Sequence, residues 1–215
     1  GVPGCIANGI DEKTANKIYD EMTDFAKYAF NKSHAAAYAV VSYQTAWLKY
    51  YYPVEYMAAL MTSVIDNPGK VAEYIYSCRQ MGIKILPPDI NHGYSSFSVD
   101  NGSIRYGLAA IKSIGRPVIK EIVAERKANG EFKNLKDFIE RMSGKDINKR
   151  TIENFIKSGA FDELGGTRKQ FMVIYVQILD QVNREKKNSM TGQMSLFDIV
   201  GEEQKSEFDI PLPNV

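Results

Sequence analysis

Hydrophobic positions recur at helical spacing along most of the chain. Ala15, Ile18, Met22 and Phe25 follow one another at intervals of three or four residues, which predicts a helix opened by Ile10 and Asp11. Asp11 can cap its free N–H groups, and Ile10 can staple onto Ala15. A longer helix is predicted over residues 33–52, with Ser33 as its cap, three alanines favouring it, and Tyr38, Val41, Ala46 (or Thr45) and Leu48 as its buried stripe. Pro53 ends that helix and suits the first position of the next, which runs to about Ile65. The run Asp66-Asn67-Pro68-Gly69 reads as a turn, residues 70–81 as a further helix, and Gly82 as its left-handed stop.

The pattern then changes. Ile83-Lys84-Ile85-Leu86 alternates as a short strand does, and Pro87-Pro88 breaks it. Phe97-Ser98-Val99 and Ile104-Arg105-Tyr106 flank Asp100-Asn101-Gly102-Ser103, the sign of a small hairpin. Beyond Gly107 the text is short helix, tight turn, short helix, twice over. Residues 108–112, the turn 113–116 and residues 117–129 make the first pair. Residues 149–157 and the turn 158–161 begin the second, and residues 135–142 connect them. Gly165-Gly166 reads as a hinge. Residues 168–185 form a long amphipathic helix with Phe171, Ile174, Ile178 and Val182 on one face. After Lys187 the chain turns polar and acidic, and that tail is expected to be flexible. The fold class is therefore mainly α, in helical subdomains separated by a small β-hairpin.

Composition adds limits. With 44% hydrophobic and 25% charged residues the chain resembles an ordinary folded protein. Its 215 residues suit one ordinary domain or two small ones. Two cysteines, Cys5 and Cys78, exclude a disulfide scaffold and favour a reducing compartment. No apolar run reaches the length a bilayer helix needs, so no membrane partner is expected. The start, Gly1-Val2-Pro3-Gly4, has neither an initiator Met nor a signal-peptide pattern, and the chain is expected to be a piece of a longer one.

Charge is unevenly placed. Lys and Arg number 8 against 10 Asp and Glu over residues 1–102, 18 against 11 over 103–187, and 1 against 5 thereafter. A basic middle third is a candidate polyanion footprint, although Lys-rich solvated helices give the same count.

Candidate chemistry narrows by elimination. Cys5, His34, Cys78 and His92 share no metal-ligand spacing, no Asp-x-Asp pair supports a two-metal site, and no phosphate-loop motif is present. Ser33, His34 and Asp24 could be written as a nucleophile with partners, but nothing in their spacing argues for it. The two turns say more. A glycine turn entering a helix exposes backbone N–H groups to a phosphate oxygen, and nearby cations add sequence-independent affinity. Lys112, Ile114, Gly115 and Arg116 fit this at the first turn, with Pro117 removing one donor; Lys149, Arg150, Lys157, Ser158 and Gly159 fit it at the second. Asn31, Lys32, Ser33, His34 and Tyr38 crowd polar and aromatic groups around a helix start, a suitable place for a nucleotide, or simply a capped core helix. Gln193, Leu196 and Phe197 place large apolar side chains in a polar tail, as peptide motifs that dock into a groove do.

The run Phe25-Ala26-Lys27-Tyr28-Ala29-Phe30-Asn31-Lys32-Ser33-His34-Ala35-Ala36-Ala37-Tyr38 continues through Tyr43 to Lys49 and Tyr52 to Leu60. With Cys78 to Ile83, Leu86 to Asn91, Arg105 to Gly115, Asn148 to Arg150 and Lys157 to Asp162, it closely resembles the C-family bacterial replicative DNA polymerases, the polymerase III alpha type. The resemblance covers nearly the whole chain. It implies the end of a fingers domain over 1–94, a tandem helix-hairpin-helix domain over 95–166 that grips duplex DNA, a linker helix over 167–187, and a flexible tail over 188–215.

In that layout Asn31, Lys32, Ser33, His34 and Tyr38 face the incoming nucleotide or nascent base pair, and Gln193, Leu196 and Phe197 form the sliding-clamp motif. The implied partners are primer–template duplex, deoxynucleoside triphosphate, the sliding clamp and other replisome subunits, in the bacterial cytoplasm. The family's magnesium-binding palm carboxylates lie upstream. This piece is therefore expected to hold no cofactor or catalytic residue and to be inactive alone, while its parent is a DNA-directed DNA polymerase. The other classes consistent with these residues are a non-enzymatic helix-hairpin-helix module of repair or processing, and a protein-interaction scaffold.

Overall fold

The computed structural model describes residues 4–27, 32–190 and 212–214. The chain divides into two compact units, residues 1–51 and 52–215.

In the first unit a 3-10 turn at Ile6–Asn8 is closed by Gly9 in the left-handed conformation, φ 84°. Helix α1 spans Glu12–Lys27, and Asp11 caps it as expected: the Thr14 N–H donates to Asp11 Oδ1 at 2.9 Å. Helix α2 spans Lys32–Tyr51, so Ser33 lies inside its first turn rather than ahead of it. The expected buried stripe of α2 is not buried. Tyr38 is 60% exposed, Val41 52% and Leu48 44%. The physical reason is a missing layer. Two helices and one turn cannot enclose a core between them, and among the described residues of this unit only Ala15 is buried.

The second unit has two cores. Helix α3, Pro53–Ser63, starts with Pro53 at its first turn. Helix α4, Pro68–Gln80, begins earlier than the expected turn at 66–69 allows. The Asn67 side chain accepts from the Lys70 N–H at 3.1 Å, so Pro68 and Gly69 are already helical. Gly82 follows as its left-handed stop, φ 72°. Strands β1 (Ile85–Leu86), β2 (Ser98–Asp100) and β3 (Ser103–Arg105) pair in the order β1-β3-β2. β1 runs parallel to β3, and β2 antiparallel to it with Val99 opposite Ile104. Asn101 (φ 48°) and Gly102 (φ 75°) make the tight turn that Asn-Gly favours. Met57, Met61, Val71, Cys78, Phe97 and Ile104 close this first core. Burial pushes the Cys78 thiol pKa up, which leaves it a packing group.

The second core gathers a 3-10 turn at Leu108–Ala110 with helices α5 (Arg116–Asn129), α6 (Leu135–Met142), α7 (Lys149–Ser158) and α8 (Arg168–Met190). Phe138 is at its centre, edge-on to Phe132, Phe155 and Phe161 with ring centroids 5.0, 6.2 and 4.9 Å away. Deleting a ring buried this completely costs about 3–5 kcal/mol. The predicted face of α8 is buried here: Phe171, Ile174, Ile178 and Val182, joined by Tyr175 and Leu179. Gly166 sits tight against the Phe171 ring, where a Cβ would come within 2.5 Å of its edge. The Gln170 amide donates to the Pro213 carbonyl at 3.0 Å.

Two polar devices fix the loops between these helices. The Asn91 side chain accepts from the Phe132 N–H at 2.8 Å and donates to the Phe132 carbonyl at 2.9 Å, pairing with that residue as a strand would. Arg141 engages all five guanidinium N–H groups. Nε reaches Glu125, Nη1 reaches Asp137 and the Glu131 carbonyl, and Nη2 reaches the Gly130 and Glu125 carbonyls, all between 2.8 and 3.4 Å. Its plane also lies over the Phe132 ring, 4.3 Å from the centroid.

Candidate nucleic-acid interface

The first turn is built by two isoleucines. Ile111 and Ile114 are buried, and the Ile114 N–H closes onto the Ile111 carbonyl at 3.3 Å. Lys112 and Ser113, caught between them, are turned outward. The left-handed residue of this turn is Ser113, φ 65°, and not Gly115, whose φ is −75°. Gly115 is the N-cap of α5, and no side chain caps that helix start. Pro117 follows in the first turn, as the sequence indicated. The Arg116 guanidinium reaches Asp66 at 3.2 Å in an exposed pair.

The second turn differs from expectation. Gly159 (φ 86°) ends α7; it does not introduce a new helix. Its N–H donates to the Ile156 carbonyl at 3.1 Å, and the Ala160 N–H to the Phe155 carbonyl at 3.0 Å. These amides satisfy the open carbonyls of α7 and are not presented outward. Arg168 closes over the turn through Asp162, Nε to Oδ1 at 2.8 Å, and also donates to the Lys157 carbonyl at 3.3 Å. The cations of this region lie on α7 itself. Lys149 pairs with Asp180 at 3.1 Å and Lys157 with Glu153. Arg150 is exposed at the helix start, beside the Asn148 cap that accepts from the Thr151 N–H at 3.0 Å.

The fold brings the two turns together. Asn154 of α7 donates to the Lys112 carbonyl at 3.0 Å. A cleft of about 350 Å³ lies between the turns, with Lys112 and Ile111 on one side, Ser158 on the other, and Pro88 and Tyr106 beneath. Burial raises the Tyr106 hydroxyl pKa, so it remains a neutral hydrogen-bonding group. Lys112 and Arg150 have no ion-pair partner among the described residues, and the pairs of Arg116, Lys149 and Lys157 are largely exposed. Exposed pairs of this kind contribute little and exchange readily for another anion. The geometry can thus hold a phosphate backbone by charge.

The nucleotide-facing candidates belong to the first unit. The rings of His34 and Tyr38, one turn apart on α2, meet at a tilt with centroids 4.3 Å apart, and Ser33 is exposed near them. Lys32 opens that helix. Asn31 lies outside the described residues, as do Gln193, Leu196 and Phe197.

Sequence reasoning passed over a polar constellation on the loop after β1. Asp89 is buried and accepts from the Asn91 and His92 N–H groups at 2.8 and 2.6 Å and from His92 Nδ1 at 3.0 Å. An Asp followed by polar residues two and three positions on is the available signal for such a turn. Among the described residues no three His, Cys, Asp or Glu side chains gather as a metal site, and no helix is long and apolar enough to cross a membrane.

Residues 82–171 match the helix-hairpin-helix motif. The chain is 46% identical over 201 residues to the DNA polymerase III subunit alpha of Escherichia coli strain K12, covering 93% of this chain. This chain fits a fragment of the DNA polymerase III alpha subunit. The corresponding proteins of Vibrio cholerae and Mycobacterium tuberculosis are 45% and 42% identical over 92% and 90% of it. The chain spans 16–17% of the length of these relatives. The matched motif encloses both turns and all of α5, α6 and α7.

Proposed function

We propose that residues 95–166 hold duplex DNA without reading its sequence, as part of a replicative DNA polymerase whose nucleotidyl transfer takes place on another segment of the longer protein. The observation that carries this is the meeting of Lys112 with α7, beside Ser158 in one cleft and through Asn154, inside a stretch that matches the helix-hairpin-helix motif. Lys112, Arg116, Lys149, Arg150 and Lys157 contribute charge, while Ile114, Gly115 and Gly159 shape the turns. Cations and unused helix-start amides meet phosphates in any sequence, which suits an enzyme that copies every sequence. In the first unit, Lys32, Ser33, His34 and Tyr38, with Asn31, would face nucleotide or template, and magnesium would be held by the parent's own carboxylates. The layout offered for the chain is fingers over 1–94, hairpins over 95–166, a linker helix over 167–187 and a clamp-binding tail over 188–215.

Duplex binding measured by fluorescence anisotropy across a salt series tests the proposal. Replacing Lys112 and Arg150 together by Ala should weaken binding and lower the slope of log affinity against log salt by about 1.8. An unchanged slope would place the DNA elsewhere.

A further inference from the structure

A second groove lies between α5 and residues 94–96. Val123 and Ala124 give it an apolar floor, and Lys120 and Lys127 stand on its rim. The two lysines are seven residues apart on one helix, about 10 Å. Tyr94, Ser95 and Ser96 form the opposite wall, and the cavity measures about 470 Å³. No carboxylate lines it, and neither lysine is ion-paired among the described residues. The cleft beside Asp89 is the contrast: Asp89, Glu131 and Glu163 line it together with Arg105 and Lys133, so its charges are mixed.

The aromatic wall is held in place before any ligand arrives. The Tyr94 and Ser95 carbonyls accept from the Leu108 and Ala109 N–H groups at 2.8 and 3.1 Å. Arg126, only 8% exposed, donates to the Ile90 carbonyl at 2.7 Å and sets its guanidinium 5.0 Å from the Tyr94 ring centroid. Tyr94 itself remains 43% exposed, and the Lys127 amine lies 5.8 Å from its ring. A partly exposed aromatic wall, an apolar floor and two cations without an ion-pair partner are the parts that single-strand sites combine.

We propose that this groove binds single-stranded nucleic acid, with an unpaired base against Tyr94, Val123 and Ala124 and the adjoining phosphates on Lys120 and Lys127. Within a duplex each base is covered on both faces by its neighbours, so only an unpaired base can use the tyrosine. An acidic peptide would satisfy the lysines but would leave the aromatic wall without a flat partner. The site shares no residue with the two turns, so it stands or falls separately from the duplex reading.

The test uses this chain, a labelled oligothymidylate of about 12 nucleotides and a duplex of equal length. Tyr94→Leu should weaken oligothymidylate binding by about tenfold, and Tyr94→Phe should restore it. Lys120→Ala with Lys127→Ala should lower the single-strand salt slope by about 1.4. All three should leave duplex affinity unchanged. Equal losses for duplex and single strand would overturn the proposal, as would a folded Tyr94→Leu chain with full affinity. Polyglutamate that displaces the oligothymidylate and binds the Tyr94→Leu chain as tightly as the parent would assign the groove to an acidic peptide and overturn it too. Should Tyr94→Leu unfold, the exposed lysine pair decides, through its effect on single strand against duplex.

Discussion

Glu125 shows how much one side chain carries that its neighbours in sequence do not reveal. The Lys145 amine at 2.6 Å, the Asn129 amide at 2.7 Å and the Arg141 guanidinium at 3.2 Å hold its carboxyl at a pKa of about 2, below the ordinary 4.5. A depressed carboxyl pKa stabilises the fold fully above the unfolded value and loses that contribution as pH falls through the folded one. Melting temperatures should therefore drop between about pH 4.5 and pH 2, and Glu125→Gln should flatten part of that fall; an equal fall in both proteins would free Glu125 of the role. Arg141 and Lys145 lie 16 and 20 residues away in the chain. No local pattern marks such contacts. Asn91 and Phe132, 41 residues apart, are equally invisible in the sequence.

Elements were far more legible than contacts. Helices α1 to α4, the β2–β3 hairpin and the buried face of α8 follow from spacing, capping residues and an Asn-Gly turn, all of which act within a few residues. The errors fall where one residue supports two meanings. A glycine after a helix can admit a phosphate or simply end the helix, and at Gly159 the second holds because Ile156 and Phe155 carbonyls need its turn. At the first turn, the expected glycine turn holds Gly115 in extended backbone, and Ser113 adopts the left-handed conformation instead. A serine there is strained by roughly 1–2 kcal/mol. Ser113→Gly relieves that strain but adds the entropy cost of a glycine, so it should raise unfolding stability by about 0.5–1 kcal/mol and leave duplex affinity intact, as read by urea titration; a loss of stability would mean that the hydroxyl holds the turn. The stripe on α2 was misread for another reason. Spacing identifies an apolar face but not the layer that covers it.

At the scale of the whole molecule, the two cores interleave along the chain. Ile90 packs with the hairpin helices, Phe97 and Ile104 with α3 and α4, and Leu108 with the hairpin helices again. A change in sequence texture near residue 94 therefore does not mark a clean change of core. The clamp reading concerns the same scale, because a tether works by holding a whole enzyme near its track. Leu196→Ala with Phe197→Ala should abolish capture of this chain by a purified sliding clamp while duplex binding persists; capture retained would move the tether elsewhere. Gly107 is where these levels meet. A Cβ built there would lie 2.8 Å from the Ser96 carbonyl carbon and 2.9 Å from the Phe97 nitrogen. One absent methyl group thus sets the gauge of a joint, with a core phenylalanine on one side and the tyrosine wall on the other. Any wedge driven in at this point would shift both at once, so stability and ligand width at this spot must vary together.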